Sequence, residues 1–360
     1  MSLFIDLSSI EENITRIKNI TKKDIMAVIK DNAYGIGSKK ILESLKKSNV
    51  KWIVYNKYSE YIKDIKYNSD FKILILESIK NIKSFICNDS IYYSVNDLDD
   101  ALYIKDINRN INIHIQVDVG MNREGIKDIL ECDKVIKILL NNNNINIDGI
   151  YTHFSSDVDD YITYDNEKNI FNKYLMLFKF NNVHSAATSS LHKNILGNMV
   201  RFGIGLYGYG NYHLKLNPSI NFNCNIIKIF NLNKGNYLGY HKTYKAKQDE
   251  LIAVLDIGYS DISNILYLSD NLNNKYFVVG KPCMNHMFVR IDNENNNITR
   301  LNVLSKNDII SNRNNNWYQI LMSIRNVPKN YIRRSNYDIS IVYQRTNKKN
   351  KKLTIRRRSN

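Results

Sequence analysis

The stretch from Ala27 to Gly37, AVIKDNAYGIG, runs from an apolar strand into a lysine, then through polar residues and two glycines. Val28 and Ile29 are β-branched and suit a strand. Asp31 and Asn32 favour turns, and Gly35 and Gly37 admit backbone conformations that other residues avoid. The segment that follows, GSKKILESLKKS from Gly37 to Ser48, carries its apolar residues at helical spacing. Together they form one strand–turn–helix unit with Lys30 at the strand's carboxyl end.

Working outward, the same unit recurs. Strand patterns cover 25–30, 52–56, 72–76, 91–95, 113–119, 146–154, 182–188 and 199–209, with helical patterns such as 162–180 between most of them. Strands joined by helices must lie parallel. Their number is that of a (β/α)8 barrel, whose sites form at the carboxyl ends of the strands. Near Asn217-Pro218 the pattern changes to short strands separated by polar turns, with one helix expected within 310–335. The fold expected is therefore α/β. A TIM-like barrel covers 1–216, a mainly-β domain covers 217–346, and a basic tail covers 347–360.

With 360 residues, 43% of them hydrophobic, the chain can bury cores for both domains. The net charge of +16 raises the question of nucleic acid. The lysines, however, are scattered and no binding motif accompanies them. Only NKKNKKLTIRRRSN, Asn347 to Asn360, is a basic block, so a solvated basic surface is expected and nucleic acid is not. Cys87, Cys132, Cys224 and Cys283 lie far apart without a CxxC, which predicts reduced thiols and a cytoplasmic setting, not a disulfide or zinc framework. The opening MSLFIDLSSIEENI has acids too early for a signal peptide, and no apolar run is long enough to span a membrane.

Glycine is scarce, so its placement is informative: all 14 lie between Gly35 and Gly280. Lys30, flanked by Ala27, Val28 and Ile29, is either a solvated strand end or a partly desolvated nucleophile. DVGMNREGI, Asp118 to Ile126, brings Arg123 to the same end of the barrel; YTHF brings His153 and HSAAT brings Ser185. VRFGIGLYG places Arg201 in a strand ahead of Gly203, Ile204 and Gly205, whose N–H groups can cradle a phosphate. Each has a plain structural reading: a core histidine, a helix cap, half of an ion pair. Jointly, a lysine, an arginine, a histidine and a phosphate nest on successive strand ends look like a pyridoxal phosphate pocket.

These segments resemble, in order and over nearly the whole chain, those of the alanine racemase family. AVIKDNAYGIG is similar to that family's lysine motif, DVGMNREG to its arginine motif and VRFGIGLYG to its phosphate strand. LGYHKTYKA, IGYSD and VGKPCMNHM are similar to its tyrosine and substrate-contact motifs. The resemblance implies a homodimer that interconverts L- and D-alanine with pyridoxal 5'-phosphate and supplies D-alanine for peptidoglycan. It implies that Lys30 carries the cofactor and is the base on one face of the substrate Cα, while Tyr240, from the partner subunit, serves the other face. Arg201 would meet the pyridine nitrogen with His153 behind it. Tyr34, Ser185, Gly203, Ile204 and Tyr337 would hold the phosphate. Arg123 would orient cofactor and substrate carboxylate, Met284 would offer its N–H to that carboxylate, and Tyr259 would line the entrance. Arg123 and His153 are expected to supply the positive charge that lets a tyrosine ionise at neutral pH.

The chain departs from the family at Gln116, where a lysine (frequently carbamylated) is usual, and at Asn285 for aspartate, Ile262 for glycine and His184 for asparagine. Two alternatives fit the same motifs: a racemase of another amino acid, such as serine or lysine, or a pyridoxal phosphate-binding protein with weak activity. A decarboxylase would place an acid where Arg201 stands.

Overall fold

A computed structural model describes residues 1–262, 276–291, 298–304 and 316–334. Tyr337 and the basic tail lie outside the described residues. The chain opens with β1 (Ser2–Asp6) and the helix Leu7–Thr21, whose first N–H groups, from Ser8 and Ser9, are capped by the Asp6 carboxylate. Eight parallel strands then close a barrel: β2 (Asp24–Val28), β3 (Trp52–Tyr55), β4 (Lys72–Ser78), β5 (Ile91–Val95), β6 (Ile111–Gln116), β7 (Ile145–Tyr151), β8 (Asn182–His184) and β9 (Met199–Phe202). β9 pairs back onto β2.

Each barrel strand coincides with an expected one, because the period-two pattern is explicit. Met26, Trp52, Val54, Leu74, Tyr92 and Met199 form one buried cluster inside the barrel. Their neighbours Ile25, Ala27, Ile53, Ile73 and Ile75 belong to the larger core shared with the helices. β8 and β9 are shorter than the sequence suggests. After Phe202 the chain leaves the ladder at Gly203 and coils into a 3-10 turn over Ile204–Tyr207.

The second domain is built on a sheet of β1 with β10 (Ile220–Leu232), β13 (Glu250–Leu255), β14 (Phe277–Val278), β15 (Met287–Ile291), β16 (Arg300–Leu304) and β17 (Lys329–Ile332). Their order is β14-β15-β13-β10-β1-β17, with β16 also pairing β10. β11 (Tyr237–Leu238) and β12 (Tyr244–Lys245) form a separate hairpin. β1 runs antiparallel to β10 and parallel to β17, so it belongs to the second sheet. The expected helix is Trp317–Ser323. The turn after it packs on the lysine loop so closely that a Cβ at Gly35 would stand 2.6 Å from Arg325 Cβ. None of the described helices is long and apolar enough to cross a membrane.

Candidate active site

Lys30 follows just beyond the end of β2, in register with the barrel-facing Met26 and Val28. The backbone then does something unusual for L-residues. Asp31, Asn32, Ala33 and Tyr34 all have φ of 54–56°, a left-handed turn that ends at Gly35 with φ 76°. Such a conformation costs roughly 1–2 kcal/mol per residue, so the surroundings must enforce it. Ala33 N–H donates to Ile29 O and Gly35 N–H to Asp31 O, both at 2.8 Å. The Glu60 carboxylate accepts from Asp31 N–H and the Asn32 side chain from Ser38 N–H, again at 2.8 Å. Lys30 is half-buried with its Nζ 5.9 Å from the centre of the Tyr34 ring. Burial lowers the Lys30 ammonium's pKa; Asp31 and Glu60 oppose the shift and Arg123 reinforces it. A lysine so placed gives up its proton more readily than a surface one.

The turn throws Tyr34 back across the barrel mouth onto Gly203. A Cβ at 203 would stand 2.3 Å from the Tyr34 hydroxyl oxygen, so only glycine leaves room for it. The Tyr34 ring lies between Tyr207, at 5.8 Å, and Tyr318 of the second domain, at 6.0 Å. Burial raises the Tyr34 pKa well above the usual phenol value, so its hydroxyl stays protonated and can donate. Facing the same nest, Thr188 Oγ1 accepts from the N–H groups of Gly203 and Gly205 at 3.4 Å each. The Ser185 hydroxyl lies apart from this nest and donates to Leu196 O at 3.0 Å. The sequence HSAATSS offers several hydroxyls. Because β8 stops at His184, it is Thr188, not Ser185, that reaches the glycine nest.

Arg201 projects from β9 into the barrel and, among the described residues, is buried without a carboxylate partner. Its Nη1 donates to His184 Nδ1 and His184 O, both at 2.7 Å. Its Nη2 faces Thr152 O at 2.5 Å, Ser185 O at 3.3 Å and His153 Nδ1 at 3.4 Å. Among the described residues its Nε–H has no hydrogen-bond partner, which leaves one donor of the fixed guanidinium fork for a ligand. Burial pulls its pKa down to about 10, so it remains a cation at neutral pH. Burial, then Arg201, Arg123 and Lys30, push His153 down to about 3. His153 is therefore neutral near pH 7, and the expectation that it supplies positive charge to a tyrosine base is corrected.

Arg123 is exposed on the loop after β6 and makes no side-chain hydrogen bond among the described residues. Gln116 supports that loop through its backbone: Gln116 Nε2 donates to Glu124 O at 3.1 Å, while its oxygen accepts from Tyr151 at 2.7 Å. Tyr240, Tyr259 and Met284 all stand on the second domain and are 66%, 52% and 56% exposed. Among the described residues no hydrogen bond joins them to Lys30, Arg201 or Tyr34. Asn285 donates to Ser260 Oγ at 2.9 Å, and Ile262 is buried. Among the described residues no group of three or more His, Cys, Asp or Glu side chains is arranged to hold a metal.

This donor set fits pyridoxal phosphate. The nest between Thr188, Gly203, Gly205 and Tyr34 suits a phosphate, the free Arg201 Nε–H suits an unprotonated ring nitrogen, and the lysine stands on the same face of the barrel. Family profiles match in two blocks: the alanine racemase N-terminal domain over residues 5–211 and the alanine racemase C-terminal domain over residues 219–331. The alanine racemase of Fusobacterium nucleatum is 30% identical over 315 residues, which span 82% of this chain and 88% of that one. That of Borreliella burgdorferi is 30% identical over 366 residues, 94% of this chain and 93% of that one. Among solved structures, the alanine racemase of Bartonella henselae with covalently bound pyridoxal phosphate has the same fold. It shows a TM-score of 0.79 at 19% identity, over 92% of this chain and 99% of that one. On motif order, barrel geometry and these matches over both domains, the chain belongs to the alanine racemase family.

Proposed function

We propose that the protein is a pyridoxal phosphate-dependent alanine racemase. It interconverts L- and D-alanine as a cytoplasmic homodimer and supplies D-alanine for peptidoglycan. The observation that carries this reading is the convergence of Lys30, the free Nε–H of Arg201 and the Tyr34–Gly203–Thr188 nest on one barrel mouth. When bound, the cofactor supplies a sink for the negative charge left at the substrate Cα. The chain's residues do the rest. Lys30, with its lowered pKa, takes or returns the Cα proton on one face. Arg201 would hold the ring nitrogen through its free Nε–H and, as a cation that does not readily give up a proton, would leave that nitrogen unprotonated, so the two bases would carry more of the work. Arg123 and the Met284 N–H orient the substrate carboxylate. Tyr259 lines the entrance, and Ile204 offers its backbone N–H to the phosphate, joined by that of Gly203 once its long bond to Thr188 Oγ1 is given up.

Racemisation also needs a second base on the opposite face of the substrate Cα. Tyr240 is that base in this reading, and it comes from the partner subunit. Its exposure, together with that of Tyr259 and Met284, supports a second chain covering this surface. The deciding experiment incubates the purified protein with pyridoxal phosphate and each L-amino acid in turn and measures the D-enantiomer. Alanine is expected to react fastest. Faster turnover of serine or lysine would shift the substrate but keep the reaction. No D-product from any of them would overturn the proposal.

A further inference from the structure

Among the described residues, Arg201 is a buried cation whose hydrogen-bond partners are all neutral. The nearest carboxylate in its network is reached through two histidines. His184 Nδ1 accepts from Arg201, and His184 Nε2 lies 2.9 Å from His114 Nδ1. His114 Nε2 has no hydrogen-bond partner inside the barrel and faces Asp148 Oδ2 at 3.5 Å. The separation is long for a hydrogen bond, but Asp148 is the anion that this buried nitrogen faces. Both imidazoles are fully buried, and the His184 ring stacks on Tyr151 at 4.8 Å with the planes 7° apart.

The direction of the chain follows from hydrogen-bonding chemistry. An arginine cannot accept, so His184 Nδ1 must be bare and its proton must sit on Nε2. His184 then donates to His114 Nδ1, which must be bare too, so the His114 proton sits on Nε2 and points at Asp148. The backbone is built for this. Ile113 pairs with Ile147 but His114 pairs with Gly149, so β7 carries one extra residue, Asp148, in a bulge. Bulges re-aim side chains beside functional sites. Gly149 clears the space: a Cβ there would come within 2.8 Å of the His114 ring. Asn181 and Asn182 each donate to the Asp148 carboxylate and hold it in place.

We propose that Asp148 is a positioning residue for Arg201: as the anionic, acceptor-only end of the relay it stabilises, through His114 and His184, the Nε2-protonated tautomers that donation from Arg201 requires, and so keeps the guanidinium Nε–H aimed at the cofactor ring. The proposal deepens the functional reading above and rests on it for the identity of the ring. Replacing a carboxylate beside a histidine with an amide, which can donate as well as accept, lets the wrong ring nitrogen carry the proton. In metal sites, loss of the partner that orients a ligand typically costs on the order of 10–100-fold in affinity or activity, and an effect of that size is expected here.

The test uses the full chain with ¹⁵N-labelled histidine, with and without pyridoxal phosphate, and assigns signals with His114→Gln and His184→Gln. In the wild type both histidines should be neutral with the proton on Nε2. Asp148→Asn should introduce Nδ1-protonated forms and weaken pyridoxal phosphate binding about ten-fold, and Asp148→Glu should restore both. A merely structural Asp148 would lower the melting temperature and leave the tautomers alone; that result overturns the proposal. So does a wild-type His184 or His114 carrying its proton on Nδ1, which decides the matter even if Asp148→Asn fails to fold. The tautomers are read without turnover. A protein that makes no D-alanine but shows the expected histidine signals refutes the functional reading and leaves the relay standing.

Discussion

Gly203→Ala tests the phosphate nest at its tightest point. The added Cβ would stand 2.3 Å from the Tyr34 hydroxyl oxygen and 3.2 Å from Cζ. An ordinary non-bonded contact needs about 3.5 Å, so the hydroxyl must retreat by roughly 1 Å. It has little room to do so. Tyr34 is buried against Tyr207 and Tyr318, and its backbone is locked in the left-handed turn. A displacement of about 1 Å at a positioned group costs on the order of 10²-fold in function. The dissociation constant for pyridoxal phosphate should therefore rise ten- to a hundred-fold, or about 1.4–2.7 kcal/mol, by fluorescence or absorbance titration. In Gly203→Ala/Tyr34→Phe the offending oxygen is gone. The double variant should recover thermal stability yet bind the cofactor no better than Gly203→Ala alone, because the donor is gone as well. If Gly203→Ala binds pyridoxal phosphate within two-fold of the wild type, Tyr34 and Gly203 do not share the phosphate site.

Three further outcomes are expected. Thr188→Ala should weaken cofactor binding about ten-fold, as loss of a hydrogen bond to a charged group does, whereas Ser185→Ala should change it little; equal effects in the same titration would contradict the assignment of Thr188 to the nest. His153 titrates near 3 in the fold against about 6.5 when unfolded, so between those values the unfolded chain binds the extra proton. Its share of stability is complete above pH 6.5 and falls as the pH drops through that window, by up to about 1.4 kcal/mol per unit. His114 and His184, lowered first by burial, act in the same direction. Denaturant unfolding near pH 7 and pH 5 should show the loss, His153→Gln should reduce it, and a flat profile would mean that these histidines are not buried neutral. Lys30→Ala and Tyr240→Phe should each be nearly inactive alone, while proven mixed dimers of the two should regain activity, since one site keeps both bases. Mixed dimers as inactive as their parents would rule out a site shared between chains.

Much of the barrel and its lysine is legible in the sequence because it is local. The alternation of Met26 and Val28 sets the inner face of β2 with Lys30 next in register just beyond its end, and eight such runs with helices between them imply a barrel. The glycines at 203 and 205 mark a place where backbone must approach something closely. What tertiary structure alone decided concerns partners remote in sequence. β1 reads as the start of the barrel domain, yet its partners are residues 220–223 and 329–332. The nest takes its hydroxyl from Thr188 because β8 ends at His184, and strand ends depend on neighbouring strands more than on the residues themselves. His153 looks like a source of positive charge until burial beside two arginines and a lysine leaves it neutral. His114, Asp148, His184 and Arg201 carry no shared motif. They meet because β6, β7, β8 and β9 lie side by side in the barrel, and a one-residue bulge turns the carboxylate inward. Periodicity encodes which face a side chain takes, but only the register between strands determines what it meets there.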